Sequence, residues 1–235
     1  MKKILTVIAL LMLVGTMQAQ RQVTTFLGIP VDGTKAEMKR KLVAKGFTPR
    51  TLGDTDYLEG EFNGAKVHLH IVTNNNKVYR IMVSDANTVD EANIKIRFNT
   101  LASQFEANDK YYTPDTVRID DSVDLSYEMR VKNKVFEAVY YQKHIASEAE
   151  NEAIDSATQA ELAKKFTAEQ LANPTDEEKL EIAKTKLSVS LNSIKQQVID
   201  VYKRSVWFRI GYMYGKYFIN IYYDNEYNKA NGEDL

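Results

Sequence analysis

Two histidines separated by a single residue are the feature of this sequence that points most directly to chemistry. His68 and His70 lie in a segment that alternates apolar and polar residues, so as strand residues both imidazoles project from the same face. The hairpin signal Asn63-Gly64 places Glu59 opposite His68. Two imidazoles and a carboxylate are ligands that zinc or iron accepts. A metal-assisted hydrolase that uses His68, His70 and Glu59 is therefore one interpretation.

The surroundings of these residues argue against a metal centre. The expected register sets Arg80 beside His70, where its positive charge would oppose a cation. No fourth ligand is evident, and the face is expected to be flat and wet, without the supporting groups that metal ligands need. We therefore expect no metal and no cofactor.

Two other groups of polar residues have simpler explanations than a site. His144 lies near Ser147 and Glu148, but no G-x-S-x-G elbow accompanies them, so a loop histidine is favoured over a catalytic triad. Three acidic residues, Asp120, Asp121 and Asp124, lack the spacing and the glycine of an EF-hand loop. The sequence contains no catalytic motif that we recognise, which favours a protein that is not an enzyme.

Aromatic side chains concentrate in the second half of the chain. We single out Trp207, Tyr222, Tyr212 and Tyr214 as candidate binding residues. Tryptophan and tyrosine combine an apolar ring with a polar tip and are enriched at binding surfaces. Aromatic residues are also common in strands, so packing within a sheet is the alternative explanation for these four.

A three-stranded meander is predicted around the two histidines. The Asn63-Gly64 turn pairs Leu58 with Leu69, which places the apolar side chains of both strands on one face. The run Asn74–Asn76, taken as a three-residue loop, pairs Leu69 with Ile81. The opposite face, which carries the histidines, is expected to meet water.

Two more hairpins are predicted further along the chain. One turns at Lys132-Asn133 and pairs Leu125 with Tyr140. The other turns at Tyr214-Gly215 and is apolar on both faces, unlike the first meander. A hairpin with two apolar faces needs a cover on each of them.

Three segments have the Thr-x-x-Glu pattern of a capping box and predict helix starts: Thr34–Glu37, Thr88–Glu91 and Thr175–Glu178. The third opens a long helix over residues 176–203. Its apolar residues from Leu187 onward follow 4-3-4-3 steps, which resemble a coiled-coil seam. The simplest account folds this helix back over the apolar hairpin, where it would cover Trp207 and Tyr222. Association of the helix with a partner chain is the alternative.

The order of these elements predicts an α+β protein built from tandem units, each a capped helix followed by an antiparallel meander. The first unit covers residues 20–86 and the second covers residues 87–235, with a helical insertion at 147–203. The repeated order makes an internal duplication a reasonable inference.

The N-terminus has the pattern of an export signal. Lys2 and Lys3 precede an apolar run from Ile4 to Val14, and Met17-Gln18-Ala19 offers a cleavage site. The run is shorter than the roughly 20 residues that a membrane-spanning helix needs. We therefore expect a cleaved signal peptide over residues 1–19, a periplasmic or secreted protein, and no transmembrane segment after cleavage.

Composition narrows the possible partners. The 235 residues include 31 Lys plus Arg against 32 Asp plus Glu, and no cysteine. This balance gives no reason to expect nucleic acid. Without cysteine there is no disulfide, no thiolate site and no lipid anchor of the kind that bacterial lipoproteins carry on an N-terminal cysteine.

The segment from Phe26 to Thr34, followed by Met38, Leu42 and Lys45-Gly46-Phe47, resembles the opening of a set of small secreted bacterial proteins of unknown function. The helix-then-meander order over residues 26–84 is also similar to the beta-lactamase-inhibitor-protein-like fold and to outer-membrane assembly lipoproteins of the SmpA/OmlA kind. The chain departs from those lipoproteins in having no cysteine to lipidate. The resemblance implies a non-enzymatic module that binds another protein or a cell-envelope polymer.

Overall fold

A computed structural model describes residues 22–230, so the predicted signal peptide over residues 1–19 lies outside the described residues. The described strands are β1 (Thr25–Phe26), β2 (Ile29–Pro30), β3 (Thr48–Leu52), β4 (Thr55–Phe62), β5 (Ala65–Asn74), β6 (Lys77–Asp85), β7 (Tyr111–Tyr112), β8 (Glu137–Gln142), β9 (Ser205–Met213) and β10 (Lys216–Asp224). The described helices are α1 (Lys35–Ala44), α2 (Glu91–Glu106), α3 (Leu125–Arg130), α4 (Glu148–Lys165), α5 (Ala168–Ala172) and α6 (Asp176–Tyr202).

The described chain divides into two compact units. The sheet unit comprises residues 23–143 and 201–230, and the helical unit comprises Gln22 and residues 144–200. Between residues 22 and 230, none of the helices has the length and apolar character needed to cross a membrane.

Eight of the strands described between residues 22 and 230 form one antiparallel sheet in the order β3-β4-β5-β6-β10-β9-β8-β7, and β1 pairs with β2 separately. The predicted α+β class with an antiparallel sheet is confirmed. Because β6 pairs with β10 at the centre, strands that are distant in sequence share one continuous surface.

Each half of the sheet is tied to the helix that precedes it. Before α1, the Val78 amide donates to the Gly33 carbonyl over 2.9 Å, and before α2 the Tyr217 amide donates to the Val89 carbonyl over the same distance. The tandem arrangement and the internal duplication both stay predictions.

Helices α1 and α2 pack on one face of the sheet, which we call the inner face. Side chains at every second strand position join them in a single buried core. An apolar stripe of α2 is buried along its length: Ile94, Phe98, Leu101 and Phe105. The ring of Phe98 meets that of Phe208 edge-on at 4.9 Å between centroids. Complete burial of a side chain of this size contributes about 1.5–3 kcal/mol. We call the opposite surface of the sheet the outer face.

Two predicted hairpins are confirmed in register. The Asn63-Gly64 turn pairs Leu58 with Leu69 and Glu59 with His68. The turn at Tyr214-Gly215 likewise has the predicted register along its whole length. In both turns the two central residues have positive φ, which is the geometry that joins antiparallel strands through two residues.

The register predicted around the asparagine run is wrong by two residues. Asn75 and Asn76 form a two-residue turn with φ of 47° and 61°, and the register shifts between Val72 and Thr73. Leu69 therefore pairs with Val83 instead of Ile81. Because a shift of two residues preserves the face of every side chain, the apolar residues still point inward.

The hairpin predicted at Lys132-Asn133 is wrong. Residues Leu125–Arg130 form α3, whose start is capped by a hydrogen bond of 2.8 Å from the Tyr127 amide to Asp124 Oδ1. Leu125 is buried. A short capped helix therefore provides hydrogen bonds for the backbone and also buries the apolar side chain. Strand β8 pairs instead with β7 and β9.

The capping box predicted at Thr88 is also displaced. Helix α2 begins at Glu91 and is capped by Asp90, whose Oδ1 accepts the Asn93 amide at 2.9 Å. The bridge from Val89 to Tyr217 keeps the preceding residues extended, so the helix cannot start earlier. The boxes at Thr34 and Thr175 are both present.

The segment predicted as a helical insertion, residues 147–203, contains helices α4, α5 and α6. Leu162 of α4 is buried, and Lys165 Nζ donates to Thr185 Oγ1 of α6 at 3.1 Å. The apolar stripe of α6 is exposed instead: Leu187 at 59%, Leu191 at 56%, Ile194 at 54% and Val198 at 49%. The expected folding back of this helix over the apolar hairpin stays a prediction.

Candidate binding site on the outer face of the sheet

The predicted metal ligands lie together, but other side chains engage them. Glu59 is opposite His68, yet its Oε2 accepts a hydrogen bond of 2.8 Å from Arg50 Nε. This bond is the main cause of the lowered pKa of Glu59. The Tyr57 ring covers both imidazoles, with centroids 4.8 Å from His68 and 6.0 Å from His70. Within residues 22–230, no group of three or more His, Cys, Asp or Glu side chains could hold a metal.

His70 also has different neighbours from those expected. The shifted register sets Met82 opposite His70 and moves Arg80 opposite Val72. Partial burial, with a smaller effect of the neighbouring His68 charge, lowers the pKa of His70. The pair of histidines thus belongs to a packed surface that includes the Tyr57 ring.

The other polar candidates are occupied by local structure. His144 Nε2 lies 3.3 Å from Glu150 Oε2, and the Ser147 hydroxyl caps α4 by accepting the Glu150 amide at 3.2 Å. This serine therefore serves the helix start and not a triad. Asp120 accepts bonds from the backbone and the hydroxyl two residues later, and Asp124 caps α3.

Two of the predicted aromatic residues form the centre of a cluster on the outer face. Trp207 lies opposite Tyr222 across β9 and β10, and their rings stack at 4.0 Å with an interplanar angle of 17°. The Arg80 guanidinium lies 5.4 Å from the Trp207 ring and 4.8 Å from that of Tyr222. Arg209 lies 5.9 Å from both rings.

One carboxylate holds this cluster together. Asp224 accepts two bonds from Arg80, from Nε at 2.6 Å and from Nη2 at 2.7 Å. Its Oδ2 also accepts Trp207 Nε1 at 3.0 Å. These bonds follow from the strand register, because Asp224 lies directly opposite Arg80 across β10 and β6. We call Arg80, Trp207, Arg209, Tyr222 and Asp224 the aromatic–arginine cluster.

The electrostatics of the cluster favour a fixed arrangement. The Asp224 side chain is 3% exposed and that of Arg80 is 22% exposed. The hydrogen bond to Asp224 is the main cause of the raised pKa of Arg80. A bidentate pair between two such groups fixes direction as well as distance. Cation–π contacts with Trp207 and Tyr222 then add to this order.

A groove of about 400 Å³ lies beside the cluster. Arg80, Trp207 and Asp224 line it together with Glu137, Tyr141 and Glu226. The groove thus combines aromatic side chains with charges of both signs, which suits noncovalent recognition. Asp224 already accepts three hydrogen bonds within the cluster.

The remaining two predicted binding residues lie elsewhere. Tyr212 is on the inner face, where its ring contacts Tyr217 at 5.3 Å and the Arg130 guanidinium at 5.5 Å. Tyr214 is 95% exposed at the tip of the β9–β10 turn, with φ of 50°. Arg80 and Asp224 were not predicted as site residues, because they are separated by 144 positions in the chain.

Comparison with known proteins adds no assignment. No protein-family model, no curated protein and no solved structure matches this chain. The resemblance to the beta-lactamase-inhibitor-protein-like and SmpA/OmlA-like folds stays a prediction.

Proposed function

We propose that this protein is an exported, non-enzymatic binding module that docks a folded protein partner through the outer face of its sheet. The observation that carries the proposal is the stack of Trp207 on Tyr222, held by the Arg80–Asp224 pair. Tryptophan, tyrosine and arginine are the residues that dominate binding energy at protein interfaces.

The outer face is more apolar than a face that only meets water. A solvated face of an antiparallel sheet usually carries polar side chains. Here partly buried apolar residues extend across four neighbouring strands around the buried ring of Tyr222: Met82, Val139, Trp207 and Phe218. A contiguous surface of this kind, bordered by charged residues, is typical of an interaction site.

The cluster is ordered before any partner binds. Binding usually costs about 0.5–1.5 kcal/mol for each flexible side chain that becomes fixed. The bidentate pair and the indole hydrogen bond already fix Arg80, Trp207 and Asp224. A partner that contacts these groups therefore gains affinity without much of this cost.

A protein partner is favoured over an envelope polymer by the ring geometry. Sugars bind aromatic residues by stacking on an open ring face. The faces of Trp207 and Tyr222 are turned toward each other at 4.0 Å, and Arg80 lies within 5.4 Å of both rings. The groove is lined by aromatic and charged residues, which match side chains and backbone groups of a protein surface.

The proposal is tested by recovering a partner from a cell-envelope extract and titrating the purified partner. Trp207→Ala is expected to weaken binding by about 30-fold or more, as truncation of a central aromatic residue does. Arg209→Glu, a change at an exposed position of the cluster, is expected to slow association. Tyr127→Ala is the matched control, because Tyr127 is an exposed aromatic residue on α3.

Two outcomes would contradict this proposal. One is a partner that binds Trp207→Ala and Arg209→Glu as tightly as the wild type. The other is binding to the extract that persists after the extract is digested with protease, which would identify the ligand as an envelope polymer and not a protein.

A second candidate function is self-association through α6. Its exposed stripe Leu187, Leu191, Ile194 and Val198 has the 4-3-4 spacing by which two like helices pack. Light scattering should then give a dimer for the wild type and a monomer for Leu191→Lys. Asn192→Lys, an exposed position outside the stripe, is the control and should stay dimeric. A monomeric wild type would rule this function out.

A further inference from the structure

The sheet unit contains a second concave site, on the side of the helices. An open cleft of about 480 Å³ is bordered by the β1–β2 turn, the β4–β5 turn and the C-terminal half of α2. This volume lies within the range of small-molecule sites. Its apolar lining includes Phe62, Leu101, Phe105, Tyr111 and Tyr223. We call this space the inner cleft.

The floor of the inner cleft belongs to the folded core. Leu101, Phe105 and Tyr223 are buried, and the Phe105 ring meets that of Tyr111 at 4.9 Å. Asn63 Nδ2 donates to Gln104 Oε1 at 2.7 Å and closes one side of the cleft. The cleft is therefore formed by residues that tertiary packing already holds in place.

One cationic group lies at the edge of this apolar floor. Lys110 Nζ donates to Thr25 Oγ1 at 2.6 Å and lies 5.9 Å from the Tyr111 ring centroid. Although Lys110 keeps access to solvent, partial burial lowers its pKa. An ammonium group has three donors. Among residues 22–230, Thr25 takes one of them and no carboxylate lies within 4 Å to pair with the charge.

The rim of the cleft also contains a strained residue. Leu27, which lines the cleft and is 40% exposed, has φ of 51°. A bulky side chain in this left-handed region is unusual, since asparagine or glycine is the normal choice. The two-residue turn that joins β1 to β2 requires this backbone geometry, as it does at Tyr214. Leu27 extends the apolar surface of the cleft at its mouth.

We propose that the inner cleft binds a small amphipathic carboxylate. The apolar body of the ligand lies on Phe105, Tyr111 and the other floor residues, and its carboxylate accepts hydrogen bonds from the two remaining donors of Lys110. This site is separate from the outer face and does not depend on the function proposed there.

The test is a calorimetric titration of the full chain with decanoate and with decyltrimethylammonium, which share an apolar chain but differ in charge. Decanoate is expected to bind at least tenfold more tightly than decyltrimethylammonium. Lys110→Met is expected to weaken decanoate binding by about 10- to 100-fold, the value of a hydrogen bond to a charged group. Lys41→Met, at an exposed position of α1, is the charge-matched control and should bind as the wild type does.

A second variant keeps the proposal testable if Lys110→Met folds poorly. Gln104 is exposed and lines the cleft, so Gln104→Trp should fill the space and weaken decanoate binding by at least tenfold. Trp207→Ala should leave decanoate binding unchanged, because it alters only the outer face. The proposal is overturned if decanoate does not bind the wild type, if both ligands bind equally, or if Lys110→Met and Gln104→Trp bind as the wild type does.

Discussion

Replacing Asp224 with alanine should be among the most destabilising single changes in the sheet unit. The side chain is 3% exposed and accepts two bonds from Arg80 and one from Trp207. Alanine in its place would leave a largely buried guanidinium group without its counter-ion and an indole N–H without an acceptor.

The size of the effect follows from these contacts. Removing one partner of a buried ion pair costs about 3–5 kcal/mol, and the 22% exposure of Arg80 favours the lower end because water can reach the guanidinium. The lost indole bond adds about 1 kcal/mol. We therefore expect Asp224→Ala to lower the free energy of unfolding by about 4 kcal/mol.

A double-mutant cycle separates the ion pair from general packing. Arg80→Met alone should also destabilise the protein, because it leaves the Asp224 carboxylate with only the indole bond. The double variant should cost at least about 1.5 kcal/mol less than the sum of the single changes, since neither charge is then left alone. Asp224→Asn keeps an acceptor for the Trp207 indole and should show whether that hydrogen bond contributes to the free energy of unfolding.

The measurement is urea unfolding followed by far-UV circular dichroism. The chain has one tryptophan, so fluorescence of Trp207 reports separately on the cluster. Two results would refute the reasoning: a loss below 1 kcal/mol for Asp224→Ala, or strict additivity in the cycle. Either would mean that the Arg80–Asp224 pair is solvated and does not order the proposed docking surface.

Three further predictions concern local features. Asp90→Ala should lower the unfolding free energy by about 1 kcal/mol because it removes a helix cap. Thr88→Ala should change the unfolding free energy by no more than about 0.5 kcal/mol. Equal losses for the two variants in urea titrations would contradict the assignment of Asp90 as the cap. Burial lowers the pKa of His70, so the unfolded chain binds the proton more readily and stability should fall as the pH drops below about 6.5, until the folded-state pKa is passed. His70→Gln should remove that part of the decline, and an unchanged melting-temperature profile between pH 7 and 5 would contradict it. Tyr214→Asn should stabilise the β9–β10 hairpin by about 0.5–1 kcal/mol because asparagine tolerates the φ of 50° found there; a lower melting temperature would contradict this reason.

The sequence predicts hairpins well where turn chemistry allows a single solution. Asn63-Gly64 has that property, because glycine takes a positive φ at no steric cost. The run Asn74–Asn76 does not, since each asparagine tolerates the left-handed region and both a two-residue and a three-residue loop are possible. The structure uses the shorter turn and takes up one extra residue of β6, Tyr79, as a bulge opposite Val72 and Thr73.

The error at residues 125–131 has a different origin. Alternating apolar residues predict a strand there, but Asp124 also offers a helix cap. The choice between a strand and a helix at these residues depends on which strand pairs with β8. That strand is β9, which follows the helical insertion in the sequence. A local pattern carries no information about a partner more than 60 positions away.

Trp207 and Tyr222 were predicted as binding residues, but Arg80 and Asp224 were missed for the same physical reason as the asparagine register. Alternation shows correctly that Arg80 lies on the outer face, and a shift of two residues does not change the face. The shift does change the neighbours of Arg80, from His70 to Val72 on β5. Across β10, its partner is Asp224. The positive charge of Arg80, which was expected to oppose a metal, thus helps to order Trp207 and Tyr222. We therefore interpret the outer face as a proposed docking surface and not as a metal site.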